Sequence, residues 1–237
     1  MIKITYKLIL LLGLLAMTVT SFAASEAEYG KVSKAWTLHA DGSQEYRSSM
    51  ELTLFTHTAM NSTYGESFIV YNPDFQTLKI HSSYTRQKDG TIVKTPDNAF
   101  VEVLPRFAAD APAYNQLKEM VVVHTGLELG ATIYLDYSII TKPGYYPALD
   151  INERLQETSP VKECKVSISV PENSPLAWQL LGSDAKASQA TRNGAKEVSW
   201  TLRNLPASSR EAFLPQNQDG IPRLIASSYS SNKEALS

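Results

Sequence analysis

The sequence predicts an all-β protein, an antiparallel β-sandwich of immunoglobulin-like or larger type behind an N-terminal signal segment. Three observations predict it. Apolar and polar residues alternate over many short runs, the period of strands with one dry face and one wet face. The clearest run sets Ile133, Leu135, Tyr137 and Ile139 against Thr132, Tyr134, Asp136 and Ser138. Turn signals built on Gly, Pro, Asn and Asp recur roughly every 8–15 residues, and no amphipathic helix of about 12 residues or more can be drawn.

The chain starts with a targeting signal. Lys3 and Lys7 give a positive beginning, Leu8 to Val19 is apolar, and Ser21-Phe22-Ala23 places small residues where a signal peptidase cuts. The apolar run is about twelve residues, short of the roughly 20 a spanning helix needs. Cleavage is expected after Ala23, with Ala24 as the alternative, and no stable membrane anchor should remain. No cysteine lies near the cut, which argues against a lipoprotein. The expected organisation is a signal segment (1–23), a sandwich domain (24–213), and a linker opening into a following domain (214–237).

Composition excludes several classes. Losing Lys3 and Lys7 moves the net charge from −2 to −4, the wrong sign for a nucleic-acid binder. About 214 residues remain, enough to bury near 70 % of the unfolded surface in one large sandwich or two small domains. Cys164 is the only cysteine of an exported chain, so no internal disulfide forms and a packed core must hold the fold. A periplasmic or secreted location is expected.

Taken in order, Glu28 to His39 reads as a first strand, turned at Ala40-Asp41-Gly42-Ser43. On the return, Tyr46, Met50, Leu52 and Leu54 share the dry face, while Glu45, Arg47, Ser49, Glu51 and Thr53 share the wet one. His57 to Thr63 is polar and reads as a loop before Phe68 to Tyr71. Asn72-Pro73 then blocks helix, and the next strand sets Leu78, Ile80 and Tyr84 on one face against Thr77, Lys79, His81 and Ser83. Asp89-Gly90 folds it back onto Ile92 and Val93.

Asn98 to Leu104 fits either a short strand or a helical turn, and Pro105 and Pro112 bracket a surface loop. Strands return at Glu119 to Thr125 and Ala131 to Thr141, then at Asn152 to Glu157 and Lys162 to Val170. In the last of these Cys164, Val166, Ile168 and Val170 share a face. Asn193-Gly194 marks a hairpin leading into Val198, Trp200 and Leu202. Arg223 to Tyr229 reads as a final strand, and Ser231-Asn232 as the cap of a helix over Lys233 to Leu236.

Few residues point to chemistry. A nucleophilic cysteine needs a helix N-terminus or an imidazole to depress its pKa; Cys164 lies mid-strand on the apolar face and reads as structural. His39, His57, His81 and His124 stand singly, outside metal-ligand spacings, so no metal or cofactor is expected. His81 falls on the wet face and is expected to be solvated. No phosphate-binding or hydrolase motif is present. Tyr145-Tyr146, in the turn Lys142 to Pro147, is the one candidate ligand-binding pair: exposed loop aromatics can stack a sugar. Loop aromatics also commonly fold back over the end of a core.

Several stretches together resemble a known family. They are Leu38-His39-Ala40-Asp41-Gly42-Ser43, Tyr71-Asn72-Pro73 with Phe75-Gln76-Thr77-Leu78, and Lys88-Asp89-Gly90-Thr91. Gly126-Leu127-Glu128-Leu129-Gly130-Ala131 follows, leading to Tyr134 and Tyr137, then Asn204-Leu205-Pro206-Ala207 before Glu211. In this order, from about Val32 to Pro222, they resemble the uncharacterised β domain that precedes transglutaminase-like domains in exported bacterial proteins. The resemblance implies a sandwich, an extracytoplasmic location and a papain-like Cys-His-Asp enzyme domain downstream. It implies no catalytic residue here. The expectation is a non-catalytic accessory domain that positions or selects substrate for that partner domain. The alternative is a stand-alone glycan- or peptide-binding module.

Overall fold

The computed structural model describes residues 25–110, 116–208 and 220–235. The expected signal segment and its cleavage site therefore lie outside the described residues, as do Pro112 and residues 214–219 and 236–237 of the linker stretch. Among the described residues the strands are β1 (Ala27–Leu38), β2 (Gln44–Leu54), β3 (Glu66–Tyr71), β4 (Gln76–Arg86), β5 (Ile92–Lys94), β6 (Phe100–Val103) and β7 (Lys118–Val123). They continue as β8 (Thr132–Thr141), β9 (Asp150–Arg154), β10 (Val161–Pro171), β11 (Ala177–Leu181), β12 (Ser188–Arg192), β13 (Ala195–Leu205) and β14 (Arg223–Ser227). A single helical turn, α1 (Asn232–Ala235), comes last, with Ser231 Oγ accepting from Glu234 N at its start.

The fold is the larger of the two expected sandwich forms. One layer is an eight-stranded sheet ordered β12-β13-β10-β1-β2-β8-β4-β5. Two three-stranded sheets, β11-β14-β9 and β3-β7-β6, cover it. The first packs Ile151, Leu224 and Ala226 onto Val166, Ile168, Val198, Trp200 and Leu202 in the main core. The second packs Ile69 and Val122 onto Leu135, with Leu78, Ile80 and Tyr137 around them. Leu52, Ile133 and Ile168 are fully excluded from water, and each such side chain contributes about 1.5–3 kcal/mol.

Local sequence explains most boundaries. Asp89 Oδ1 accepts the Thr91 amide at 2.8 Å, and Gly90 takes φ 91°, so the tight turn after β4 forms at little steric cost. Asn193 and Gly194 join β12 to β13 as the hairpin signal predicts. Asn98 to Leu104 turns out to be both alternatives in sequence, a 3-10 turn at Asp97–Ala99 running into β6.

Two expectations need correction. Tyr84 does not share a face with Leu78 and Ile80: a β-bulge between Ile80 and Ser82 inserts His81 as an extra residue and reverses the alternation beyond it. Leu78 and Ile80 face inward opposite Ile139 and Tyr137, while Tyr84 faces outward opposite Tyr134. His57 to Thr63 is not simply a loop, because Ala59–Thr63 forms one π-helical turn that buries Ala59. The strand pairs among the described residues are antiparallel as expected, with β1 and β10, which pair in parallel, as the exception. The strands on either side of Thr158-Ser159-Pro160 belong to different sheets, β9 pairing with β14 and β10 with β1 and β13.

Candidate functional site

Two small covers on one broad sheet leave a seam above the inner faces of β1, β2 and β8. Across one row of that floor, Lys34 pairs with Ser48, which pairs with Tyr137; across the next, Trp36 pairs with Tyr46, which pairs with Ile139. Two cavities open here and share Tyr46 in their walls, one of about 370 Å3 on the Lys34 side and one of about 510 Å3 on the Trp36 side.

Lys34 is placed inward by the strand period, between Val32 and Trp36, yet it is charged. Its Nζ lies 2.7 Å from Glu153 Oε1 and 3.0 Å from Glu157 Oε1. Burial alone would depress its pKa, but Glu157 and Glu153 more than offset that and hold it above the ordinary lysine value, so the ammonium stays charged. Burial, with the negative field of Glu157, pushes the Tyr29 hydroxyl well above its usual range. Tyr64 caps this end, its hydroxyl 2.8 Å from Thr158 Oγ1 and 2.6 Å from Ser159 Oγ.

At the other end lies the expected tyrosine pair. The turn Lys142 to Pro147 is strapped to the turn before β4: the Lys142 amide donates to Phe75 O at 2.9 Å, and Lys142 Nζ to Asp74 O at 2.7 Å. The Tyr145 ring stacks on Phe75 at 3.9 Å and 18°, and Tyr146 meets Tyr145 at 4.6 Å and 62°. All three rings remain exposed, Tyr146 at 47 %. Tyr146 also walls the larger cavity, together with Trp36, Tyr46 and Tyr229. The pair thus neither seals the core nor stands isolated: its Tyr146 ring edges a cavity.

The remaining candidates are not poised for catalysis. Cys164 is 1 % exposed, packed in the main core, and burial pushes its thiol up to about 11, the opposite of an activated nucleophile. His124 is buried and donates or accepts at Nε2 with Ser67 Oγ, 2.8 Å away, while its Nδ1 has no partner among the described residues. None of the described carboxylates hydrogen-bonds that ring, as the third member of a serine–histidine–carboxylate triad would. His81 is exposed, yet its Nε2 lies 2.8 Å from Ser138 Oγ. Ser138 donates its one proton to Glu45 Oε1 at 2.6 Å, so His81 must donate to Ser138 and cannot act as its base. His39 lies 3.6 Å from the same glutamate, and His57 is exposed. Among the described residues no group of three or more His, Cys, Asp or Glu side chains is arranged to hold a metal.

Glu153 and Glu157 could not be singled out from sequence, because nothing in their spacing ties them to Lys34 more than a hundred residues earlier. Lys34 itself carried a signal: a lysine between two inward apolar positions of a strand demands a buried counter-ion.

Comparison with known proteins gives a family and one close structural match. Residues 40–209 match DUF3857, described as a domain of unknown function with a solved structure. The crystal structure of a Parabacteroides distasonis protein, described there only provisionally as a protease, is 87 % identical with a TM-score of 0.86. That match covers 89 % of this chain but only 42 % of the other, so the present chain spans less than half of its relative. An M1 zinc metallopeptidase from Deinococcus radiodurans aligns over 86 % of this chain and 42 % of its own at 10 % identity, with a TM-score of 0.37. No curated protein matches.

Proposed function

We propose that this chain, which belongs to the DUF3857 family, is a non-catalytic accessory β domain of a longer extracytoplasmic enzyme. In this reading it positions or selects substrate for a downstream transglutaminase-like domain whose Cys-His-Asp residues do the chemistry. One observation carries the reading: the chain corresponds to 42 % of a protein 87 % identical to it, and that longer protein is described as a protease candidate. Cys164 supports it, being sealed in the core with no imidazole in reach. So does the seam, which offers concave aromatic and charged surface of the kind that holds a substrate rather than transforms it.

The test is excision. The full-length parent and a form lacking the β domain are compared on a small amide and on a polymeric peptide substrate. The reading expects kcat on the small amide to survive, and KM for the polymer to rise. Equal KM values for both forms on the polymer would remove the accessory role.

A second reading is favoured by the stacked Phe75 and Tyr145 rings beside Tyr146, which edges the cavity. It is a stand-alone glycan- or peptide-binding module, in which Tyr145 and Tyr146 form the platform. Replacing both tyrosines with alanine then abolishes retention on a glycan or peptide column; unchanged retention removes this reading.

A further inference from the structure

The cavity on the Lys34 side holds more negative charge than positive. Among the described residues Lys34 is the only cation in its lining, whereas Glu157 lines it, Glu66 stands in its wall, and Glu153 backs Lys34. Among the described residues, one ammonium between two carboxylates leaves a negative charge without a counter-ion beside partly buried walls, where an unpaired charge is far more costly than in water. Glu157 retains 25 % of its side-chain exposure and can be reached from the cavity.

The walls suit a cation. Tyr29 and Tyr64 form one edge-to-face pair at 6.2 Å, Tyr46 and Tyr137 another at 6.3 Å, and all four line the same space. Aromatic faces attract ammonium and guanidinium groups while their bodies pack an aliphatic stem. A volume of about 370 Å3 accommodates such a group and lies in the ordinary range of ligand pockets.

We infer that this cavity binds an organic cation, a primary ammonium or guanidinium on an aliphatic stem, with Glu157 as its counter-ion and the four tyrosines as its walls. A lysine or arginine side chain of a peptide has this chemistry, and so does a free diamine. The site stands on the cavity alone and does not depend on a partner domain.

The test uses the full 237-residue chain, labelled with 15N and titrated with Nα-acetyl-lysine N-methylamide, its arginine and norleucine counterparts, and cadaverine. Saturable shifts confined to the amides of Ser48, Tyr64 and Thr158 are expected with the three cations and none with norleucine at equal concentration. Cadaverine matching the lysine amide assigns recognition to the ammonium itself; a clear preference for the amide assigns part of it to the peptide group. Glu157→Gln should weaken binding about tenfold, the loss typical of a charge-assisted hydrogen bond. Glu66→Gln, at an exposed position where folding is not at risk, should weaken it about twofold through lost attraction across solvent. Equal shifts from the norleucine amide overturn the proposal, as does lysine-amide affinity that Glu66→Gln and Glu157→Gln both leave unchanged.

Discussion

Ile80 and Tyr84 leave the same strand on opposite sides of the sheet: Ile80 packs over the core opposite Tyr137, while Tyr84 stacks on Tyr134 outside, ring centroids 4.6 Å apart. The extra residue at His81 is responsible. Arg86 completes the outer stack, its guanidinium 5.1 Å from the Tyr134 ring.

Tyr84→Ala should therefore behave as a surface substitution, losing about 1 kcal/mol of stacking. Leu52→Ala, at a fully buried position, should cost about 2–5 kcal/mol. Urea denaturation of both variants measures the contrast; comparable losses would place Tyr84 in the core after all.

Strand existence was legible in the sequence because the period-2 pattern survives wherever one sheet face is wet, as in β8 and β13. The face of Tyr84 was not, because a bulge adds one residue without any breaker: Ile80-His81-Ser82 contains neither Gly nor Pro. The bulge of β1 differs in this respect, since its extra residue is Gly30, an isolated glycine of the kind that marks a bulge inside a strand, and it lets Tyr29 and Val32 face inward together. The tyrosine pair at the cavity edge was legible as loop aromatics. The Lys34 cluster was not, since its partners come from a different sheet and the loop beyond it.

Cys164 should be slow to react. With its thiol pushed up to about 11 and 1 % exposed, almost none is thiolate at neutral pH. Labelling with a thiol reagent should be negligible in native buffer and stoichiometric in denaturant; fast native labelling would contradict the burial.

His124 should make the fold acid-sensitive. Burial lowers its pKa from 6.5 to about 4, so the unfolded chain binds the proton more tightly. Stability from this group is fully present above about pH 6.5 and is lost as pH falls toward 4. The loss approaches about 3 kcal/mol. In His124→Gln, whose amide can still reach Ser67, that part of the pH dependence should vanish. An unchanged slope between pH 7 and pH 4 would show that other groups cause it.

Gly126 and Gly130 should respond differently to alanine. Both have positive φ, 73° and 88°, but a Cβ at Gly126 would meet Val93 Cβ at 2.8 Å, whereas at Gly130 it meets only the flexible Lys88 stem at 3.7 Å. Gly130→Ala should cost about 1–2 kcal/mol of backbone strain. Gly126→Ala should cost clearly more, because strain and overpacking add. Thermal unfolding ranks them, and equal shifts would mean that Val93 moves aside freely.

The central claim is that this chain holds substrate and leaves the chemistry to a partner. The most direct measurement is the amidase and transamidase turnover of the 237-residue chain by itself, beside its Cys164→Ala variant. The account predicts no turnover above buffer in either protein. Turnover in the wild-type chain that disappears in Cys164→Ala would make the chain an enzyme and contradict the account.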